Sequence, residues 1–470
     1  MRGLPVFGVM AAGLALRLAW LTRKSLWSDE GLTLLISSQK HLVENLRHLD
    51  LTPPLYFLVM RAWLPLFGDP IVALRLFSAL MGATALVLFY LWGRRASPPD
   101  AFGALCLAAG SSFWIHAAQD GRAYALYLVL TLASALLLQR LRSEGSPRTA
   151  AVYGAVCLAG LYTHYFFALV VGLHFLYQSA DRDFRRLHLG AWLALHLAII
   201  AAYLPWLPSL AAQFRLAPSA SVLQEPLTWR LAAVHVGTFL FDPGYLGLYV
   251  PGWTALAGLG AAALAAIGIA SSLRGAAPEA GVRYAAFCLG AGLAVVKAAE
   301  LCIGHPVSQP RYLICLSPFL FLLAARGLRA IPGGASRAVA GSLAAGVLLS
   351  GTAAYYYSNA VIDPHSAAAA DLIRAASRTR DPVVHLAPFD LLPMRYYYLS
   401  ERAHLMVAPV SENLAWLSSR RDGTAVVDPA RLAWFPRCVV VDPRRELLPR
   451  RIGLLTGKEL AVRLGYSKNR

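Results

Sequence analysis

The sequence predicts an α-helical polytopic membrane protein of about eleven transmembrane helices followed by a small C-terminal α/β domain, and three observations predict it. Of 470 residues, 57% are hydrophobic and 14% charged, whereas soluble domains carry roughly a quarter charged residues. Mean hydropathy is +0.53. The apolar residues fall into runs of bilayer-spanning length, and the arginines collect in the short segments between alternate runs. After Tyr357 the hydropathy drops and short strand-like runs begin. The net charge of +18 and pI near 9.9 do not indicate nucleic acid, because the basic residues are clustered between spans as the positive-inside rule requires. The six cysteines, Cys106, Cys157, Cys288, Cys302, Cys315 and Cys438, lie in apolar segments without Cys-x-x-Cys or Cys/His ligand spacing. They read as small buried hydrophobes; only Cys302 and Cys315 flank one short loop, and a disulfide is not the expected state there.

The first span runs from Gly3 to Leu21, is long, ends in Arg23-Lys24 and lacks a small-residue cleavage site, so it reads as retained rather than as a signal peptide. Residues 23–70 then form a first extracytoplasmic loop. Within it, Leu55 to Phe67 follows Pro53-Pro54, is too short to cross and reads as an interfacial helix. Ile71 to Gly93 crosses back and delivers Arg94-Arg95 to the cytoplasm. Spans follow at Ala101 to Ala118, Ala123 to Leu138, Ala150 to Tyr162, Tyr165 to Tyr177 and Leu189 to Leu207. Leu210 to Tyr249 carries charges, prolines and aromatics and reads as a second long outer loop with interfacial or re-entrant pieces. Trp253 to Ser272, Tyr284 to Ile303, Leu313 to Leu328 and Val339 to Tyr357 complete the set. On this topology the clusters Arg140/Arg142/Arg148, Arg182/Arg185/Arg186, Arg274/Arg283 and Arg326/Arg329/Arg337 all fall inside. Residues 358–470 form an extracytoplasmic α/β domain with strands at Val383 to Leu386, His404 to Val407 and Val439 to Val441. It carries no GxGxxG or P-loop, so packing or acceptor docking is its default role.

Leu26-Trp27-Ser28-Asp29-Glu30-Gly31 puts two adjacent carboxylates just beyond the first span. They suit either of two roles. Ser28 could cap a short helix through Gln39 with Asp29 and Glu30 in its first turn, or the acids could serve chemistry at the membrane surface. Charges inside the remaining spans favour the second, since ionisable groups in lipid are costly and face a bundle interior or a cavity. Arg17 and Arg75 lie about a turn below the outer ends of their spans. His116, Asp120 and Arg122 bracket one outer turn, His164 tops another, and Lys297, Glu300, His305 and Arg311 surround a third. Singly, each is explained by snorkelling or by an i,i+3 pair such as Lys297 with Glu300. Together they converge on one outward cavity beneath the first loop.

At these residues the chain resembles the GT-C membrane glycosyltransferases, in the branch of protein O-mannosyltransferases and aminoarabinose lipid A transferases. The resemblance is carried by Trp27-Ser28-Asp29-Glu30-Gly31, Asp50-Leu51-Thr52-Pro53-Pro54-Leu55-Tyr56-Phe57, Arg75-Leu76-Phe77-Ser78-Ala79-Leu80, Gln119-Asp120-Gly121-Arg122-Ala123-Tyr124 and Arg311-Tyr312-Leu313. It covers roughly Leu4 to Leu328, and it departs from the pattern at Thr52, where relatives often carry a His before the paired prolines. It implies a GT-C catalytic domain over residues 1–357. It also implies transfer of a sugar from a polyprenyl-phosphate donor to a lipid, glycan or protein acceptor at the periplasmic face of a bacterial inner membrane.

The residue chemistry fits. A carboxylate can take the proton of an attacking hydroxyl, and fixed cations stabilise the leaving phosphate. Asp29 is the expected base, with Glu30 orienting it; Arg122, Arg311 and Lys297 are the expected phosphate ligands. Asp50, Asp120, His164, Tyr56, Arg75 and His305 complete the expected substrate site. Nothing in the spacing demands a metal or other cofactor. The rival reading is a transporter or lipid flippase with an outward polar vestibule, which explains buried charges but not the acid pair or the outer domain.

Overall fold

The computed structural model describes residues 3–361 except 39, 221–228, 243–250, 274–278 and 304–308, together with parts of 370–385 and four strand segments ending at residue 455. The helices, in chain order, are α1 (Gly3–Leu18), α2 (Ser28–Ser38), α3 (Leu42–Leu49), α4 (Leu55–Trp63), α5 (Pro70–Ala96), α6 (Ala101–Gly110), α7 (Ser112–Gln119), α8 (Tyr124–Glu144) and α9 (Pro147–Leu161). They continue with α10 (Phe167–Ala180), α11 (Arg182–Tyr203), α12 (Leu207–Ala220), α13 (Trp229–Thr238), α14 (Pro251–Leu273), α15 (Ala280–Ile303), α16 (Ser317–Ala330) and α17 (Gly334–Val361).

Among the described residues, seven helical segments are long and apolar enough to cross a membrane, or eight when α6 and α7 are counted as one bent span. The chain is therefore a multi-pass membrane protein. Helices also lie at the other three expected spans, but α1, α9 and α10 have only 16, 15 and 14 residues. The expected interfacial helix is α4, continued by a 3-10 turn at Leu64–Leu66.

Local chemistry sets the element ends. Asp69 caps α5 by accepting from the backbone N–H groups of Ile71 and Val72, with Pro70 at the first helical position. Gly145, at φ 60°, ends α8 in the left-handed conformation that suits glycine. The expected span from Ala101 to Ala118 is broken: α6 and α7 meet at 57°. Ser111 makes the break, its hydroxyl accepting from Trp114 N–H to start α7 while donating to the Phe239 carbonyl at 2.7 Å.

With no aqueous drive pushing helices together in lipid, packing and polar links between helices carry the association. Phe89, Trp92, Trp114 and Phe321 interlock with ring centroids 5.5–6.4 Å apart. Trp114 also donates to Ser317 at 2.8 Å. His174, fully enclosed, is bonded by the hydroxyls of Tyr153 (3.1 Å) and Tyr284 (2.6 Å), which pins α9, α10 and α15 together. Among the described residues the C-terminal part has strands β1 (Val383–His385), β2 (His404–Val407), β3 (Thr424–Val427), β4 (Cys438–Val441) and β5 (Ile452–Leu455). They form one sheet ordered β3-β2-β1-β4-β5, parallel throughout except for β5. The helices expected between these strands fall outside the described residues. Cys302 and Cys315 are both free.

Candidate active site

The segment after α1 is held by side chains from other helices. Arg75, on the first turns of α5, uses its whole guanidinium there. Nε and Nη2 donate to Glu30 at 2.8 and 2.6 Å, Nη1 to the carbonyls of Leu21 and Lys24 at 2.7 Å each, and Nη2 to Ser25 at 2.9 Å. Glu30 and Arg75 are 0% and 1% exposed. Glu30 also accepts from the Gly121 N–H at 2.9 Å. Burial pushes the Glu30 carboxyl up, but the charge and hydrogen bonds of Arg75, with the Lys24 charge and the Gly121 N–H, together outweigh it and hold the group below its ordinary range.

Gly121 is tightly enclosed: a Cβ there would lie 2.3 Å from Leu74 Cδ2 and 3.1 Å from Glu30 Cγ, so a side chain would have to push both aside. Beside it, Arg122 grips Asp50 with both terminal nitrogens, at 2.8 and 3.2 Å, and reaches the Thr33 hydroxyl and the Asp29 carbonyl at 3.3 Å. Thr52, the residue that departs from the family pattern, donates to Asp50 at 3.0 Å and so fixes that carboxylate.

Asp29 differs from its neighbours. It is 30% exposed and faces Arg311 at 3.6 Å. Burial raises its carboxyl above the usual range, and the charges of Arg122 and Arg311 reduce that rise without cancelling it. Arg311 is flanked by aromatic faces, its Cζ lying 5.5–5.9 Å from the ring centres of Tyr312, Tyr124 and Trp27. Trp27 in turn donates its indole N–H to Asp120 at 3.0 Å. His164 lies flat on Tyr127, with centroids 4.7 Å apart and planes at 1°, and it neighbours Tyr124 and Tyr312. Burial, with Arg311 and Arg122 nearby, lowers its pKa to about 3, so the ring is neutral at physiological pH. Its Nδ1 accepts from the Phe166 backbone N–H at 3.2 Å, which assigns the proton to Nε2.

The geometry thus brings together Asp29, Glu30, Asp50, Arg75, Asp120, Arg122, His164 and Arg311 from six stretches of chain. Asp29 and Glu30 occupy the first turn of α2, which begins at Ser28 itself rather than after it, and both acids meet arginines. Tyr56 is buried against Phe57 and Phe77. Lys297 is paired with Glu300 at 2.7 Å. Arg17 sits away from the carboxylates and donates to the carbonyls of Gly13, Ala108 and Ala109. His305 lies outside the described residues. Among the described residues, no three His, Cys, Asp or Glu side chains gather as a metal site. Thr33 and the aromatic faces of Tyr124 and Tyr312 were not foreseen as contacts. Thr33 carried a weak signal, being one turn beyond Asp29 and bonded to its carbonyl.

Residues 52–207 match the family model described as dolichyl-phosphate-mannose-protein mannosyltransferase. No curated protein sequence gives a significant match. In three dimensions the chain is similar to ArnT from Cupriavidus metallidurans in the apo state, at 17% identity and a TM-score of 0.60 over 93% of this chain and 92% of that one. It is also similar to ArnT from the same organism bound to undecaprenyl phosphate, at 16% identity and a TM-score of 0.62 over 94% and 93%.

Proposed function

On the premise that this chain has the GT-C fold of the membrane glycosyltransferases, we propose that it moves a sugar from a polyprenyl-phosphate donor to an acceptor hydroxyl, inverting the anomeric centre. One observation carries this reading: Asp29 is a partly open carboxylate facing an arginine, whereas Glu30 and Asp50 are enclosed and each bound two-fold by another arginine. A base must reach its proton, and a committed carboxylate does not. That ArnT was solved with undecaprenyl phosphate bound supports a donor of the same chemical kind.

In the proposed reaction the acceptor hydroxyl gives its proton to Asp29 as its oxygen attacks the anomeric carbon. The bond from that carbon to the phosphate oxygen breaks, and its electron pair leaves with the polyprenyl phosphate. General-base assistance is worth typically ~10²–10⁴-fold. Arg311, with Arg122 behind it and Lys297 assisting, stabilises the charge gathering on the leaving phosphate. His164 offers a neutral Nε2–H donor to the donor's polar atoms, and Asp120 and His305 complete the substrate site. Glu30, Arg75, Asp50 and Tyr56 act as its frame, holding the base and the cations rather than touching the sugar. The site faces the periplasm of a bacterial inner membrane in this reading, with the N-terminus cytoplasmic and the C-terminal domain outside.

The test is transfer by the purified protein from a panel of radiolabelled polyprenyl-phosphate sugars. Transfer from one of them, lost in Asp29→Asn, is expected. Label carried across a sealed vesicle without transfer would favour a flippase instead.

A further inference from the structure

Four consecutive residues, beginning with Gln119 at the last position of α7, each hold a different point of the stretch that runs from the end of α1 to Glu30. The Gln119 amide donates to the carbonyls of Leu16, Arg17 and Ala19 at 3.2, 3.2 and 2.8 Å. Asp120 accepts from Trp27, Gly121 donates to Glu30, and Arg122 donates to the Asp29 carbonyl. The first link is matched by one in the opposite direction. A helix end leaves its last carbonyls without intrahelical partners. Gln119, with the Tyr356 hydroxyl also donating to Leu16, satisfies carbonyls at the end of α1, while Arg17, from α1, satisfies Ala108 and Ala109 at the broken end of α6 at 3.2 and 3.3 Å. The end of α1 is thus capped from α7, and the end of α6 is capped from α1.

Two further observations show that the α1 end is held rather than relaxed. Trp20 adopts φ 56°, the left-handed region, directly after Ala19. Such a residue costs on the order of 1–3 kcal/mol and persists only where its surroundings over-determine it. The Gln119 amide is itself oriented, because its oxygen accepts from the Tyr355 hydroxyl at 3.1 Å while its nitrogen faces the carbonyls.

We infer that Gln119 is a positioning residue of the active site: by capping the end of α1 it fixes where the segment carrying Asp29 lies relative to Arg122. The side chain touches neither Asp29 nor Arg311, so its effect passes through the backbone. The functional part of the inference rests on the transferase reading, and the experiment separates the two.

Wild type, Gln119→Leu, Gln119→Glu and Tyr355→Phe are purified at full length and compared in three measurements. The first is kcat and KM for transfer from the lipid-linked sugar that wild type accepts, per molecule able to bind undecaprenyl phosphate. Gln119→Leu and Gln119→Glu should lose kcat on the order of 10²-fold, the size expected for a misplacement of about 1 Å. Their KM for the donor should not change. The second is the acid limb of the kcat–pH profile, which should move in both Gln119 variants because Asp29 would no longer face the same cations. The third is hydrogen exchange, in which residues 19–27 should exchange faster in the Gln119 variants. Tyr355→Phe should show the same changes in smaller measure.

A wild-type kcat and an unmoved pH limb in correctly folded Gln119→Leu would overturn the inference and leave Gln119 a structural cap. If wild type transfers from no polyprenyl-phosphate sugar, the transferase reading fails on its own. The clasp is then judged by exchange, and unchanged protection of residues 19–27 in Gln119→Leu would overturn that as well.

Discussion

Arg75 holds Glu30 through two near-parallel hydrogen bonds of 2.8 and 2.6 Å in a place that excludes solvent from both side chains. The pair sits one residue from Asp29, and the remaining nitrogens of Arg75 fix the backbone that leads to it. Breaking a buried pair by removing one partner leaves a charge uncompensated and costs about 3–5 kcal/mol. Arg75→Met is expected to lose stability of that order, measured by thermal unfolding in detergent. Glu30→Gln keeps the shape and should be milder for transfer than Asp29→Asn. Equal loss of turnover in Glu30→Gln and Asp29→Asn, with both folded, would move Glu30 from the frame into the chemistry.

Asp29→Asn should abolish transfer while leaving binding of undecaprenyl phosphate intact. Burial raises the Asp29 carboxyl above its ordinary value, so two pH effects follow with definite sign. The base works only when ionised, and the acid limb of kcat should therefore lie above the ordinary carboxylate range of about 3.9. A raised folded pKa means that the folded protein holds this proton longer than the unfolded chain. Above that window ionised Asp29 weighs against folding. Asp29→Asn should be at least as stable as wild type at neutral pH, and a lower melting temperature would contradict the burial argument.

An arginine fork binds phosphate oxygens in pairs and stacks on aromatic rings, and lysine does neither in the same way. Arg311→Lys should weaken binding of undecaprenyl phosphate by about 10-fold or more, as expected for a charged hydrogen bond worth roughly 1.5–3 kcal/mol. Arg122→Lys should weaken it too while loosening Asp50, and the two losses should not add if both grip one phosphate. Lys297→Met should cost less, because Glu300 already holds that ammonium. Isothermal binding to the four proteins decides this, and unchanged affinity in both Lys variants would remove these arginines from the phosphate site.

Gly121→Ala tests how tightly the clasp is closed. The added methyl would meet Leu74 and Glu30, and overpacking of this kind costs typically about 1–3 kcal/mol. Turnover should fall with stability, and a variant with wild-type values of both would mean that the turn relaxes freely.

Sidedness follows from the arginine distribution. Thiol labelling of single cysteines should place positions 29 and 428 outside and 94 and 185 inside. Labelling of 428 from the cytoplasm would change the number of spans by an odd count.

Much of the bundle was legible because a span is a local signal. Length and hydropathy mark it without reference to any other part of the chain, and helices lie at the expected runs. The break at Ser111 was not legible, since its cause is a carbonyl 128 residues away that the Ser111 hydroxyl reaches. For the site, the sequence singled out residues that the fold brings together but not their partners. Arg75 meets Glu30 across 45 residues and Arg122 meets Asp50 across 72. Arg17 looked like Arg75 by depth and type, yet it bonds only backbone carbonyls among the described residues. Nothing local distinguishes an arginine that caps a helix from one that pairs with a carboxylate.

Trp20, which turns the chain at the end of α1, is 57% exposed and carries Arg23 5.0 Å over its ring. Exposed tryptophans with a neighbouring cation gather at the level of lipid headgroups. That level is also where a lipid carrier keeps its own phosphate. In the proposed reaction Asp29, nine residues further on, would then work beside the surface of the bilayer rather than deep within it or far above it. A carrier arriving sideways through the leaflet would bring its phosphate to Arg311 with its tail still dissolved in lipid. Encounter would be a two-dimensional search, so turnover at low donor density should follow membrane fluidity and the surface fraction of carrier rather than its bulk concentration.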